Sequence, residues 1–220
     1  PEYSDLMEQV SKHDDKKSAP KFQHDFTAKQ ALRTRAFWSI SITHSLTNLS
    51  VGAVSAHIFF QLTDPNGVNL SDASAATIIP IMALSSFAFQ MIGGFLGDRI
   101  SKRAIVPVLI LLQGVSMVLL AMAVGYMGAL AFAVIWGLGF GGRTPMLHAM
   151  RGDYFGRKHF GVILGMSAFP MAMGMMATPV IVGRVYDNTG SYDSSLFTLA
   201  GFCIIAAATI LLATKPETPK

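Results

Sequence analysis

Long apolar runs alternate with short polar ones along most of this 220-residue chain. An apolar run of about eighteen or more residues is long enough to cross the hydrocarbon core of a bilayer as a helix. The pattern predicts six such spans, at roughly 36–62, 73–97, 104–126, 127–150, 160–186 and 195–213. The breaks between them read as turns and caps. Thr63-Asp64-Pro65-Asn66-Gly67-Val68-Asn69 and Asp187-Asn188-Thr189-Gly190-Ser191-Tyr192-Asp193 carry the Pro, Gly, Asn and Asp that turns use. Ser71 or Asp72 can cap the second span. The pattern therefore divides the chain into a polar linker over 1–35, a six-helix transmembrane bundle over 36–214, and a short tail over 215–220. Within the linker, Asp25 or Thr27 can cap a short helix beginning at Ala28, and Pro1 to Pro20 reads as flexible. A chain that opens on Pro1 rather than Met reads as a fragment of a longer protein.

Composition sharpens the picture. The chain is 51% hydrophobic and only 14% charged, against about 25% charged in soluble domains. The formal net charge of +4 is no nucleic-acid footprint, because the cations sit beside the spans. Their placement sets an orientation. Lys12, Lys16, Lys17, Lys21, Lys29, Arg33 and Arg35 precede the first span. Arg99, Lys102 and Arg103 follow the second, Arg151, Arg157 and Lys158 follow the fourth, and Lys215 and Lys220 follow the sixth. The opposite side carries Arg184. Cations collect in cytoplasmic loops, so both termini are expected in the cytoplasm. Trp38, next to Arg33 and Arg35, fits an interfacial anchor beneath lipid phosphates. The lone Cys203 allows no disulfide within one chain.

The candidate chemistry lies inside the spans. The first is unusually polar, with His44 and Asn48 four residues apart on one face and Ser41, Ser45 and Ser55 close by. Lipid does not tolerate such a face, which must meet protein or a water-filled cavity. Interhelical hydrogen bonding and substrate binding both satisfy that demand. The fourth span places Arg143 after Gly137-Leu138-Gly139-Phe140-Gly141-Gly142. An arginine at that depth either snorkels to the inner surface or meets an anion. No Asp or Glu lies within any span as drawn, so a proton carried by this chain would have to ride on His44, His57 or His148. Gln113-Gly114 reads as a helix contact, and Gly93 with Gly97 as a small-residue packing face. The methionines of the fifth span read as packing rather than a metal site. No buried acid pair, HExxH or Walker glycine loop is present. An enzyme, a metal site, a cofactor and an ATP-driven pump are therefore not expected.

Between the second and third spans runs Gly93-Gly94-Phe95-Leu96-Gly97-Asp98-Arg99-Ile100-Ser101-Lys102-Arg103. Gly94, Leu96, Asp98, Arg99, Lys102 and Arg103 resemble the loop signature of the major facilitator superfamily of secondary transporters. Ser101 stands where that family more often has Gly. The stretch 22–38, the glycine-rich fourth span and Tyr154-Phe155-Gly156-Arg157-Lys158-His159-Phe160-Gly161 resemble the oxalate–formate antiporter and monocarboxylate porter branch. The second span lacks the Arg of many monocarboxylate porters. The resemblance implies the C-terminal six-helix half of such a transporter, built as a 3+3 inverted repeat in the cell (plasma or inner) membrane. It implies alternating access, antiport or symport, with a small organic anion, a monocarboxylate or dicarboxylate, between this half and an N-terminal six-helix half. It also implies that the first and fourth spans line the cavity, so that Arg143, His44 and Asn48 bind substrate. Gly94, Asp98, Arg99, Lys102, Arg103 and Arg151 would form a gating motif, with Asp98 bridging to Arg151 or to the fifth span's N-terminus. The other reading of the same fold is a non-transporting membrane receptor or sensor.

Overall fold

A computed structural model describes residues 25–217. Lys12, Lys16, Lys17, Pro20, Lys21, Phe22 and Lys220, used above, lie outside the described residues. All regular structure among the described residues is helical. A short helix α1 (Ala28–Leu32) precedes α2 (Arg35–Thr63), α3 (Asp72–Arg99), α4 (Lys102–Ala121), α5 (Gly125–Phe155), α6 (Phe160–Thr189) and α7 (Asp193–Leu211). Helices α3 to α7 are long and apolar enough to cross a membrane. The 29-residue α2 has the length but not the apolarity, because its polar residues run the length of one face.

Local chemistry sets the ends. Thr27 caps α1 in a capping box with Gln30, Thr34 caps α2 by accepting from the Phe37 amide, and Ser71 caps α3 from the Ser74 amide. Asp25, the other expected cap of α1, is used elsewhere. The α4 helix stops at Ala121 rather than Tyr126, since 122–124 form the turn and Gly125 opens α5 at φ +65°. The α5 helix in turn runs past Met150 to Phe155, where Gly156 ends it at φ +81°. Its glycine run 137–141 forms a π-helical turn inside the span.

Glycines decide which helices touch. A Cβ on Gly137 or Gly141 would strike Ser85 or Ser86 of α3, and one on Gly93 would strike the Gly142 backbone. The α3–α5 pair therefore packs backbone to backbone, as small-residue faces permit. Gly97 lies against Met146. Helix α2 packs on α6 and α7, and α4 packs on α7 and α5. Gly52 of α2 sits against the Met175 carbonyl.

Two apolar clusters result, and a polar layer separates them. One gathers Ala53, Ile58 and Leu62 of α2 with Met117, Phe132, Trp136 and Leu196. The other gathers Phe37 and Ile40 of α2 with Ile110, Leu147, Phe155, Cys203 and Ile210. Between them, buried, lie Thr43, His44, Thr47, Asn48, Ser50, Gln113, Ser116 and Arg143. Polar side chains at that depth must bond one another or a ligand.

Candidate functional site in the polar layer

The polar layer is built on one side by α2. Its hydroxyls spend themselves largely on backbone. Thr47 donates to the Thr43 carbonyl (2.8 Å) and Ser50 to the Thr47 carbonyl (2.7 Å). The Asn48 amide donates to the His44 carbonyl at 2.7 Å. Gln113, fully buried on α4, reaches across: Nε2 donates to the Thr47 carbonyl (3.0 Å) and to Ser50 Oγ (2.7 Å). The opposite end of that amide, Oε1, accepts from Nε of Arg143. Read from sequence, Gln113 was only a helix contact. In the structure it joins α2 and α4 to the arginine.

Arg143 is 0% exposed. Its Nη1 and Nη2 are buried with no hydrogen-bond partner. The Phe140 ring lies 5.5 Å from the guanidinium carbon, within cation–π range. Burying a charge is expensive unless it is paired. The carboxylates of the described helices, Asp72, Asp98, Asp153, Asp187 and Asp193, sit at helix ends rather than in this layer. Arg143 is thus enclosed within these helices rather than snorkelling out, and among the described residues its terminal amines have no hydrogen-bond partner.

A second arginine belongs to the same region. Arg151 is 1% exposed. It was expected in a loop, as a partner of Asp98. The extension of α5 to Phe155 carries it into the bundle instead. Its Nη2 donates to His44 Nδ1 (3.0 Å) and Nη1 to the Leu147 carbonyl (3.2 Å). Because a guanidinium only donates, His44 accepts at Nδ1 and carries its ring proton on Nε2. His148 packs edge-on to His44, with ring centroids 5.4 Å apart. Ser41, Ser45 and Ser167 leave buried hydroxyl oxygens unpartnered. The expected trio of Arg143, His44 and Asn48 therefore shares one layer. His44 bonds Arg151, and Arg143 bonds Gln113. His57, also a candidate proton carrier, lies elsewhere, bonded to the Pro179 carbonyl (2.9 Å) and to Tyr192.

The family model described as the Major Facilitator Superfamily matches residues 37–220. This chain belongs to that superfamily. Its curated relatives include Monocarboxylate transporter 2 of Mus musculus, 23% identical over 163 residues, which cover 72% of this chain and 34% of that protein. Monocarboxylate transporter 12 of Xenopus laevis is 26% identical over 148 residues, 66% of this chain and 32% of the other. The uncharacterized MFS-type transporter YhjX of Escherichia coli (strain K12) is 24% identical over 169 residues, 72% and 40%. The chain spans about a third of the length of the first relatives it matches. Family and apolar helices together make it a multi-pass integral membrane protein of a transporter family, not an enzyme family.

The superfamily's signature loop can be placed residue by residue. Asp98, Lys102 and Arg103 line a cavity of about 330 Å³ with Met150, Asp153 and Tyr154 of α5. The ion pair there joins Lys102 to Asp153 at 2.9 Å. Among the described residues Asp98 makes no ion pair with Arg151, because Arg151 has turned to His44. Arg99 lies over the Phe95 ring at 4.2 Å, and Arg103 donates to the Leu211 carbonyl. A Cβ on Gly94 would meet nothing, so the close contact of this loop belongs to Gly93. Asp153, three residues beyond the stretch drawn as a span, lies on the last turn of α5 rather than in a loop.

Proposed function

We propose that the chain is the C-terminal six-helix half of a secondary active transporter that moves a small organic anion, a monocarboxylate or dicarboxylate, by alternating access. In this reading α2 to α7 are six spans, both termini are cytoplasmic, and a second six-helix half completes the carrier. Substrate is exchanged near the midplane between the two halves. Arg143 is the anion-binding group, with His44 and Asn48 in the same polar layer. The signature loop and Arg151 govern which side is open.

One observation carries the reading: a fully buried arginine with both terminal amines unpartnered, in a layer without a carboxylate. A carboxylate ligand fits a guanidinium fork as a bidentate pair, and that pair would compensate the charge. The printed names of the monocarboxylate transporters support the same substrate class. The low burial of α3 and α6 fits a bundle completed by a second half. Only 11% of the most apolar stretch of each is buried, against 44–50% in α4, α5 and α7, leaving two helix faces for lipid or for the second half.

The test is uptake of radiolabelled acetate, lactate and oxalate by the reconstituted full-length protein. Arg143→Lys keeps the charge and loses the fork, so affinity falls while some uptake remains. Arg143→Gln abolishes uptake in a protein of normal yield. Normal affinity in a well-folded Gln variant would refute the anion-site assignment.

A further inference from the structure

A second concave surface lies at the end of the bundle where α2 and α4 begin and α7 stops, away from the polar layer. It is a cavity of about 680 Å³. Three cations from three elements meet on it: Arg33 at the C-cap of α1, Arg35 at the first position of α2, and Arg103 in the first turn of α4. Below them the wall turns apolar, with Trp38, Ile42 and Leu212. No carboxylate lines this cavity.

The rim is held in place. Arg103 donates to the Leu211 carbonyl at the end of α7, which fixes its guanidinium at the mouth. The Trp38 indole donates to the Leu32 carbonyl (2.9 Å), which pins the ring while leaving it 51% exposed. The start of α2, where Thr34 and Arg35 line the cavity, adds the positive end of that helix to the same rim. From Arg35 to Ile42 the cavity descends about two helical turns, roughly 10 Å at 1.5 Å per residue. That is a headgroup's depth and the beginning of an acyl chain. A small free anion would use the rim and ignore the wall. A choline headgroup would set a cation against three guanidiniums.

The geometry points to a binding site for an anionic phospholipid. Its phosphate lies among Arg33, Arg35 and Arg103, and its first acyl segment lies on Trp38, Ile42 and Leu212. Such a lipid bridges the segment leading into α2 to the start of α4, and so to the signature loop. Basic pockets between helix ends recognise lipid headgroups in this way.

Native mass spectrometry of the delipidated full-length protein, titrated with phosphatidylglycerol, phosphatidylcholine and inorganic phosphate, tests the site. Phosphatidylglycerol is expected to bind at least about tenfold more tightly than phosphatidylcholine, and millimolar phosphate is not expected to displace it. Each Arg→Gln change at 33, 35 or 103 weakens phosphatidylglycerol about fivefold, and the triple variant about a hundredfold. Equal affinity for the two lipids would overturn the proposal. So would an unchanged affinity in the triple variant. Displacement by phosphate would also overturn it, since it would mark a free-anion site. Should the triple variant not fold, the single changes at the exposed Arg33 and Arg35 decide, and unchanged binding in both counts against the site.

Discussion

Two arginines on α5 meet opposite fates. Arg151 is satisfied by this chain: one terminal amine bonds its own helix at Leu147, the other bonds His44 of α2. Arg143, two turns earlier, is held by one neutral amide through Nε, and both terminal amines remain unpartnered. Both are buried and both are charged. The difference is in what surrounds them. Arg151 joins α5 to α2, and each of its terminal amines has a partner. Arg143 is enclosed with its terminal amines unpartnered, the feature on which the proposed anion-binding reading rests. Under the proposed reading, the glutamine at 113 holds the guanidinium without neutralising it.

The largest effect is expected at Arg143, and it runs in opposite directions for activity and stability. Replacing Arg143 by Met removes an uncompensated buried charge, so the fold should gain about 1–4 kcal/mol. Anion uptake should fall by about a hundredfold or more, as when a buried charged group loses its partner at a cost of about 3 kcal/mol or more. Thermal unfolding and initial uptake rates, measured on the same preparation, check both halves. A less stable variant would place Arg143 with Arg151 as a structural group and end the contrast between them.

The next effect sharpens the same contrast from the partner's side. Gln113→Glu places a carboxylate on the Nε of Arg143, which turns the open arginine into a paired one. The apparent KM for an anionic probe is expected to rise about tenfold, roughly the worth of one charge-assisted bond, while the unfolding temperature does not rise, because the carboxylate gives up the two bonds that Nε2 donates to Thr47 and Ser50. Gln113→Met removes the acceptor and leaves the arginine less well aimed, so KM rises and stability drops. An unchanged KM in both variants would show that the amide only packs α4 on α2.

At Arg151 the expectation is smaller and of another kind. Arg151→Lys cannot bond Leu147 and His44 together, so α5 loosens from α2 by about 1–2 kcal/mol. Substrate affinity should stay within about threefold of the parent, with the loss appearing in stability and turnover. A selective loss of affinity would give Arg151 a place in the anion site and make the two arginines alike.

How much of this was legible in the sequence follows from what each feature depends on. Helix positions could be read within a few residues, because membrane thickness fixes the length of an apolar run and caps such as Ser71 and Thr27 act locally. That Arg143, His44 and Asn48 are buried among apolar surroundings was also legible, since polar residues stand out within an apolar run. The inner end of α5 was misjudged because the polar run Arg151-Gly152-Asp153 reads as a loop. Only the packed structure shows that it continues as helix to Gly156. The spacing of four between Arg143, Leu147 and Arg151 was a signal for a shared stripe that could have been used. The role of Gln113 depends on contacts with Thr47 and Ser50 on a different helix, which no local pattern encodes. The same holds for Asp25: of the two caps read from spacing, Thr27 caps α1 and Asp25 bonds the loop after α5.

Asp25 carries the smallest expected effect and marks the edge of the comparison. Its Oδ1 accepts from the backbone amides of Arg157 (3.0 Å) and Lys158 (3.2 Å). The adjoining Phe26 amide donates to the Phe155 carbonyl (3.0 Å), and the two rings pack edge to face at 5.7 Å. Gly156 makes room for the carboxylate, since a Cβ there would collide with Asp25 Oδ1. The clasp thus fastens the segment before α2 to the loop that joins α5 to α6. Asp25 is exposed, and water can replace the lost acceptor, so Asp25→Ala should cost only about 1 kcal/mol. Exchange of the Arg157 and Lys158 amides should quicken about fivefold, the rate equivalent of that energy. Asp25→Asn, which keeps an acceptor, should fall between the two. Gly156→Ala should be worse than either, because it strains a left-handed backbone and displaces the carboxylate together. Hydrogen exchange at residues 157–158, read beside anion KM, tests whether the clasp is separate from the polar layer. A KM that moves with the exchange rate would show that the loop and Arg143 are coupled, and that the open arginine is aimed from outside the bundle as well as by Gln113.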